Sequence, residues 1–196
     1  MSAPDESAPG WDAITARVES FYPTEPVHRG MTPGVAFGSP LQGLSAYRGE
    51  SWWFLVTYGL TELFPKESDD PAVSGWGYEL TMRAPLTAEA PDWAFGVLAS
   101  LASLTQSRQM AFGPGHRLQT GHPLAGLPTK LTAVAFTLDP ELGSIDTANG
   151  KVDFLLVLGI TTYELERMKA TSTAAVVAEL AGSTRLITDP SRAPDG

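Results

Sequence analysis

The sequence contains no cysteine. That excludes disulfides, thiolate metal sites and cysteine nucleophiles together, and it suits the reducing cytoplasm where the protein is expected. Basic residues are also scarce. Lys and Arg number 13 against 22 Asp and Glu, for a net charge of -9. A surface this acidic repels phosphate backbones, so nucleic acid is excluded as a partner class, whereas a protein partner is compatible with it. No apolar run approaches the roughly 20 residues of a membrane span. The opening "MSAPDESAPGW" lacks the basic and apolar parts of a secretion signal.

Catalytic signatures are missing in the same way. No Gly-Lys-Ser or Gly-Lys-Thr is present to hold phosphates, and no Gly-x-Ser-x-Gly elbow to present a serine nucleophile. There are three histidines. His116 and His122 lie close together in "GHRLQTGH", but a zinc ion needs a third ligand, the intervening loop offers no carboxylate, and His28 is remote. Neither a metal nor a cofactor is expected.

The 196 residues fit one ordinary domain, able to bury roughly 70% of its unfolded surface without a staple. Residues 1–10 are small, polar and proline-rich, and read as a flexible leader. In "WDAITARVESFYP" the spacing of Ile14, Val18 and Phe21 predicts a helix capped by Asp12 and stopped by Pro23. The Pro- and Gly-rich stretch 23–45 predicts loop, with a short strand near Val35 to Phe37. "ESWWFLVTYG" predicts a central strand, since Trp52, Phe54, Val56 and Tyr58 on one face and Trp53, Leu55 and Thr57 on the other are both largely apolar.

"SGWGYELTMR" alternates Trp76, Tyr78, Leu80 and Met82 with Gly77, Glu79, Thr81 and Arg83, which predicts a strand with one buried and one wet face. Its glycine pair precedes a strand and lacks the third glycine of a dinucleotide loop, so close backbone approach is the better reading. "PDWAFGVLASLASLTQSRQ" predicts a helix capped by Asp92, with Trp93, Val97, Leu101 and Leu104 as its stripe. Residues 111–130 predict a long loop with a short strand around Leu118. "LTAVAFTLD" predicts a strand, and "GSIDTANGKVDFLLVLGI" a hairpin turning at Asn149-Gly150. Thr161 and Glu164 fit a capping box, a second short helix ends at Gly182, "TRLITD" reads as a last strand, and residues 190–196 as a fraying tail. Strands and helices mix without βαβ alternation, which predicts an α+β fold.

The runs "WWFLVTYGLTELF", "SGWGYELTMR", "DWAFGVLASLA", "GH" followed by "HPL", "LDPELGSIDTANGKVDFLLVLGITTYEL" and "RLITD", in this order, resemble the Suppressor of fused family. The resemblance spans residues 11–189. It implies an α+β domain with a mixed, largely antiparallel sheet covered by helices, and a role in binding protein rather than in catalysis. In eukaryotic members this domain is joined to a second one, and the two clamp a short peptide of Gli transcription factors that adds as a strand between them. Bacterial relatives are single domains, some of them immunity proteins that neutralise a cognate toxin, and this chain resembles that type. The tyrosine and aspartate that help hold the Gli peptide correspond here to Leu104 and Gly115, so both polar groups are missing.

Two functions are therefore weighed. The first is a module that grips a protein or peptide, such as a toxin, through the loops around Tyr58 to Glu62 and Phe112 to His116 and through the expected wet face with Glu79 and Arg83. Its candidate contact residues are Tyr58, Glu62, Glu79, Arg83, Phe112 and His116. The second is an enzyme using Glu62, Glu79 or His116 as acid or base, since apolar surroundings shift carboxyl and imidazole pKa values.

Overall fold

The computed structural model describes residues 7–30, 41–67 and 69–192. Among them, eight strands form a single sheet flanked by four α-helices. The helices are α1 (Pro9–Glu19), α2 (Asp92–Arg108), α3 (Thr162–Ala170) and α4 (Thr173–Thr184). The strands are β1 (Val27–Gly30), β2 (Gly43–Arg48), β3 (Trp52–Tyr58), β4 (Val73–Pro85), β5 (Arg117–Gln119), β6 (Leu131–Leu138), β7 (Ser144–Thr147) and β8 (Gly150–Thr161). The sheet order is β1-β2-β3-β4-β8-β6-β5, with β7 also pairing β8. Every pairing between these strands is antiparallel except that of the two long central strands, β4 and β8. This is the mixed, largely antiparallel α+β sheet expected.

The alternation of β3 distributes its side chains as the sequence implies. Trp53 and Leu55 join the core under α2, while Phe54, Val56 and Tyr58 join the core under α1. α3 and α4 cover Ala133, Ala135, Leu156, Leu158 and Ile160 on the same side as α1. The capping box is present: Thr161 Oγ1 accepts from the Glu164 N–H and the Glu164 carboxylate accepts from the Thr161 N–H. That carboxylate also takes the Arg192 guanidinium, which donates to the Gly159 carbonyl as well. Residues 190–192 are thus tied down rather than frayed.

Several local expectations are corrected. The expected strand near Val35 to Phe37, residues 1–6 of the leader and residues 193–196 of the tail lie outside the described residues. Pro9 and Gly10 belong to α1 rather than to the leader, and Ala8 and Pro91, not Asp12 and Asp92, occupy the N-cap positions. Both aspartates sit in the first turn instead, where the helix dipole favours them. α1 ends at Glu19, and the Tyr22 N–H bonds back to the Val18 carbonyl at 2.9 Å, so Tyr22 enters the core and Phe21 is 43% exposed. β1 occupies part of the stretch read as loop. The β7–β8 turn centres on Ala148 and Asn149, and positive φ falls on Gly150 alone. Asn149 instead donates to the Glu62 and Phe64 carbonyls at 2.7 and 2.6 Å. α4 runs through Gly182 and ends at Arg185 in the left-handed conformation. "TRLITD" contributes only a bridge from Ile187 to Arg83.

The glycine pair makes a bulge. Between the pairs Val73–Lys151 and Tyr78–Asp153 the register shifts, with extra residues of β4 set against β8. Gly75 and Gly77 have φ of +53° and +81°. A Cβ on Gly75 would lie 2.7 Å from the Leu60 carbonyl oxygen, so only glycine lets the bulge meet the 59–62 loop. The Trp76 N–H then bonds the Leu60 carbonyl at 2.9 Å.

The face of β4 read as wet is dry. Glu79 and Thr81 are fully buried, and Arg83 is 5% exposed. α1, α3 and α4 close over this side of the sheet, so its polar side chains form a seam between two apolar clusters. The Glu79 carboxylate accepts from Thr57 Oγ1 (2.6 Å), the Gly59 N–H (3.0 Å), the Thr61 N–H (2.9 Å) and Thr61 Oγ1 (2.7 Å). Thr81 donates to Asp139, which also accepts from the Glu141 and Leu142 N–H groups. Arg83 pairs with Glu141 at 3.1 Å, donates to the Arg185 carbonyl and lies over Trp52. The Glu141 contact is an ion pair without hydrogen-bond alignment.

Gly75→Ala, at a positive φ against a fixed carbonyl, is expected to cost about 2 kcal/mol, whereas Gly182→Ala, in open helix interior, is expected to gain up to about 1 kcal/mol. Urea unfolding of the two variants checks both signs. Burial pushes the Glu79 carboxyl up to about 7, against the four donated hydrogen bonds that pull it down. A carboxyl raised on folding favours the folded state when protonated, and that contribution is lost as pH rises from the ordinary carboxylate range through 7. Glu79→Gln is therefore expected to remove up to roughly 3 kcal/mol of the stability difference between pH 4.5 and 7. Unfolding curves at the two pH values with the same difference in both proteins would contradict this.

Candidate functional site

The structure places the six candidate contact residues in different settings. Tyr58 is fully buried, stacked on Trp11 with centroids 4.2 Å apart, and its hydroxyl meets Thr15 Oγ1 at 3.2 Å. Phe112 is stacked on Phe136 at 4.3 Å, and its N–H bonds the Tyr78 hydroxyl. Glu79 and Arg83 belong to the buried seam. These four shape the interior, and of them only Phe112 reaches a surface cleft, of about 270 Å³, at its edge. Glu62 is part-buried and pairs with Lys66 at 2.9 Å, while Lys66 also donates to the Val73 and Asn149 carbonyls. That arrangement latches the 59–67 loop to the β4 bulge. His116 alone of the six is exposed.

The acid–base grouping is not assembled. Glu79 has no solvent contact and Glu62 is held by a cation. Three clefts, of about 300, 480 and 270 Å³, are lined by none of Glu62, Glu79 and His116. Among the described residues no three His, Asp or Glu side chains gather in a metal-binding cluster, and no helix is long and apolar enough to cross a membrane.

A different feature does present itself outward. Among the described residues β5 closes one end of the sheet and pairs with β6 alone, through Arg117–Ala135, Leu118–Val134 and Gln119–Ala133. On either side of it, the His116 carbonyl accepts from the Phe136 N–H at 2.9 Å, and the Thr120 N–H donates to the Thr132 carbonyl at 3.0 Å. Antiparallel pairing alternates, so Arg117 and Gln119 turn their N–H and C=O groups away from β6. No described residue takes those backbone groups.

This edge is held rigidly. Gly115, at φ +88°, donates its N–H to the Phe136 carbonyl at 2.8 Å. Its own carbonyl accepts from Thr173 Oγ1 at 2.8 Å, and Arg117 donates to the same hydroxyl at 3.1 Å, which anchors β5 to the start of α4. Leu118 packs against the core beneath α2. Sequence reasoning found the strand around Leu118 and missed its role, because three residues carry no sign of where a strand falls in a sheet. The available signal was polar Arg117 and Gln119 flanking a single apolar residue, between turn glycines.

Comparison with known proteins agrees with this architecture. The family model for Suppressor of fused protein matches residues 38–193. The Suppressor of fused homologues of Homo sapiens and Mus musculus are each 26% identical over 210 residues, covering 93% of this chain and 43% of theirs. The chain thus spans less than half the length of the curated relatives it matches. A chain of the Sufu–Fu complex superposes with a TM-score of 0.88 at 23% identity, over 96% of this chain and 92% of that one. Drosophila Suppressor of Fused gives 0.85 at 23%, over 98% and 53%. A Suppressor of fused homologue from Neisseria gonorrhoeae gives 0.67 at 18%, over 94% and 95%. With the family pattern matched across most of its length and the sheet reproduced by these relatives, the chain belongs to the Suppressor of fused family.

Proposed function

We propose that this chain is a non-catalytic binding module that takes an extended segment of a protein partner as an added strand on β5. The observation that carries the proposal is the open edge at Arg117 and Gln119. Backbone groups facing outward from a braced sheet supply affinity in strand addition, and side-chain pockets beside them supply selectivity. Family membership supports a protein as the partner, and the Sufu–Fu complex is an assembly of a relative with another protein. The first partner class to test is a cognate toxin, as the likeness to single-domain bacterial relatives implies. Leu104 and Gly115, which stand where the resemblance puts the Gli-binding tyrosine and aspartate, carry no polar side chain, so the segment bound is expected to differ from the Gli peptide.

Gln119→Pro tests this directly. The substitution deletes an N–H that β6 does not use, and proline is tolerated on an edge strand in this orientation. Thermal unfolding should shift by no more than a few degrees, while affinity for the partner, assayed by calorimetry with a candidate cognate toxin, should fall about tenfold or more. Unchanged affinity in a folded variant would refute strand addition at β5.

A further inference from the structure

Beside the end of β5 lies a groove of about 300 Å³, walled by α2 on one side and by the segment after β5 on the other. From α2 it takes Trp93, Gly96 and Ser100, which share one helical face; from the opposite wall, Thr120, Leu124 and Ala125. Val97, Leu101 and Val134 add apolar surface, His122 is the one imidazole, and none of the described residues lining it is Asp, Glu, Lys or Arg. This lining suits an apolar occupant.

Two local features keep the groove open. Gly96 sits inside α2, where glycine weakens a helix. A Cβ built on it meets nothing within 4 Å, so no packing neighbour demands the glycine. What the missing side chain leaves is room in the groove. Opposite, Ala125 is held at φ +53°, a conformation L-residues rarely adopt, followed by Gly126 at +68°. This turn places Ala125 at the wall and seats buried Leu124 beneath it.

We propose that the groove is a specificity pocket for one large apolar side chain, Leu, Met or Phe, of the segment that pairs on β5; the proposal rests on the strand-addition reading. Thr120 both lines the groove and directly continues β5, so a strand added along Arg117 to Gln119, about 4.8 Å to the side of β5, runs toward the groove, which begins about one residue rise of 3.3 Å beyond Gln119. The volume lies at the lower limit of ligand clefts, roughly 300 to 1,000 Å³, which suits a single side chain rather than a folded element.

The test is selection of a random-peptide display library on the full chain and on two variants, each verified as folded by thermal melting. Peptides enriched on the wild type should share a large apolar residue at one fixed position. On Gly96→Leu, which fills the groove from an exposed helical site, that preference should vanish and the best wild-type peptide should bind at least about tenfold more weakly. Gly96→Ala should retain most of the binding. Gln119→Pro should lose all the enriched peptides. If peptides are lost on Gln119→Pro yet bind Gly96→Leu unchanged, the pocket is refuted and strand addition stands. If the enriched peptides survive Gln119→Pro, the edge reading falls and the pocket with it. Concentration-dependent self-association abolished by Gly96→Leu would assign the groove to a second copy of the chain and overturn the proposal.

Discussion

β4 lies between two helical layers, and every polar side chain it carries must find its partners within the protein. Glu79 meets that constraint with four donors and no cation. Three of those donors come from the Gly59 and Thr61 backbone and the Thr61 hydroxyl, so the carboxylate fixes the path of the loop after β3. The loop in turn accepts the Trp76 N–H from the β4 bulge, and through the Leu63 carbonyl it accepts the Gly10 and Trp11 N–H groups at the start of α1. One buried acid thereby ties together the centre of the sheet, the bulge and the first helix. Arg83 does the corresponding work at the other end of the seam, binding Glu141, the Arg185 carbonyl and the face of Trp52.

This rigid centre gives the outer strand its character. The sheet is braced from β4 through β8 and β6 to β5, and among the described residues the ladder stops there with backbone groups turned outward. Exposed strand edges recruit other chains, and proteins blunt them by keeping them short and charged. β5 has three residues, one of them Arg117, which limits indiscriminate pairing while leaving room for a matched segment. The largely apolar groove just beyond it is the proposed second point of recognition. Membership of the Suppressor of fused family accords with a protein-binding module.

Much of this was legible in the residues. The double-faced apolar pattern of Trp52 to Tyr58 identified a central strand because burial on both sides leaves no polar face to read. Thr161 and Glu164 specified a helix start because a capping box is purely local. Glu79 and Arg83 were misread as wet because period-two alternation reports polarity, and polarity equals exposure only when nothing covers the face. The covering helices lie far away in sequence. Phe21 was placed inward for a related reason: a helical spacing was continued past Glu19, where the helix had ended. The glycine pair was read correctly as a close approach, yet its partner, the Leu60 carbonyl, is visible only in three dimensions. The β5 edge and its groove depend on strand order, which short-range patterns do not encode.

The most direct test is amide hydrogen exchange of the full chain with and without its bound partner segment. Strand addition predicts that the Arg117 and Gln119 amides, unprotected in the free chain, become strongly protected on binding, while the Leu118 amide, already paired with β6, changes little. Protection that leaves Arg117 and Gln119 untouched and appears instead on another face, such as the cleft between Tyr22 and Trp52, would contradict it.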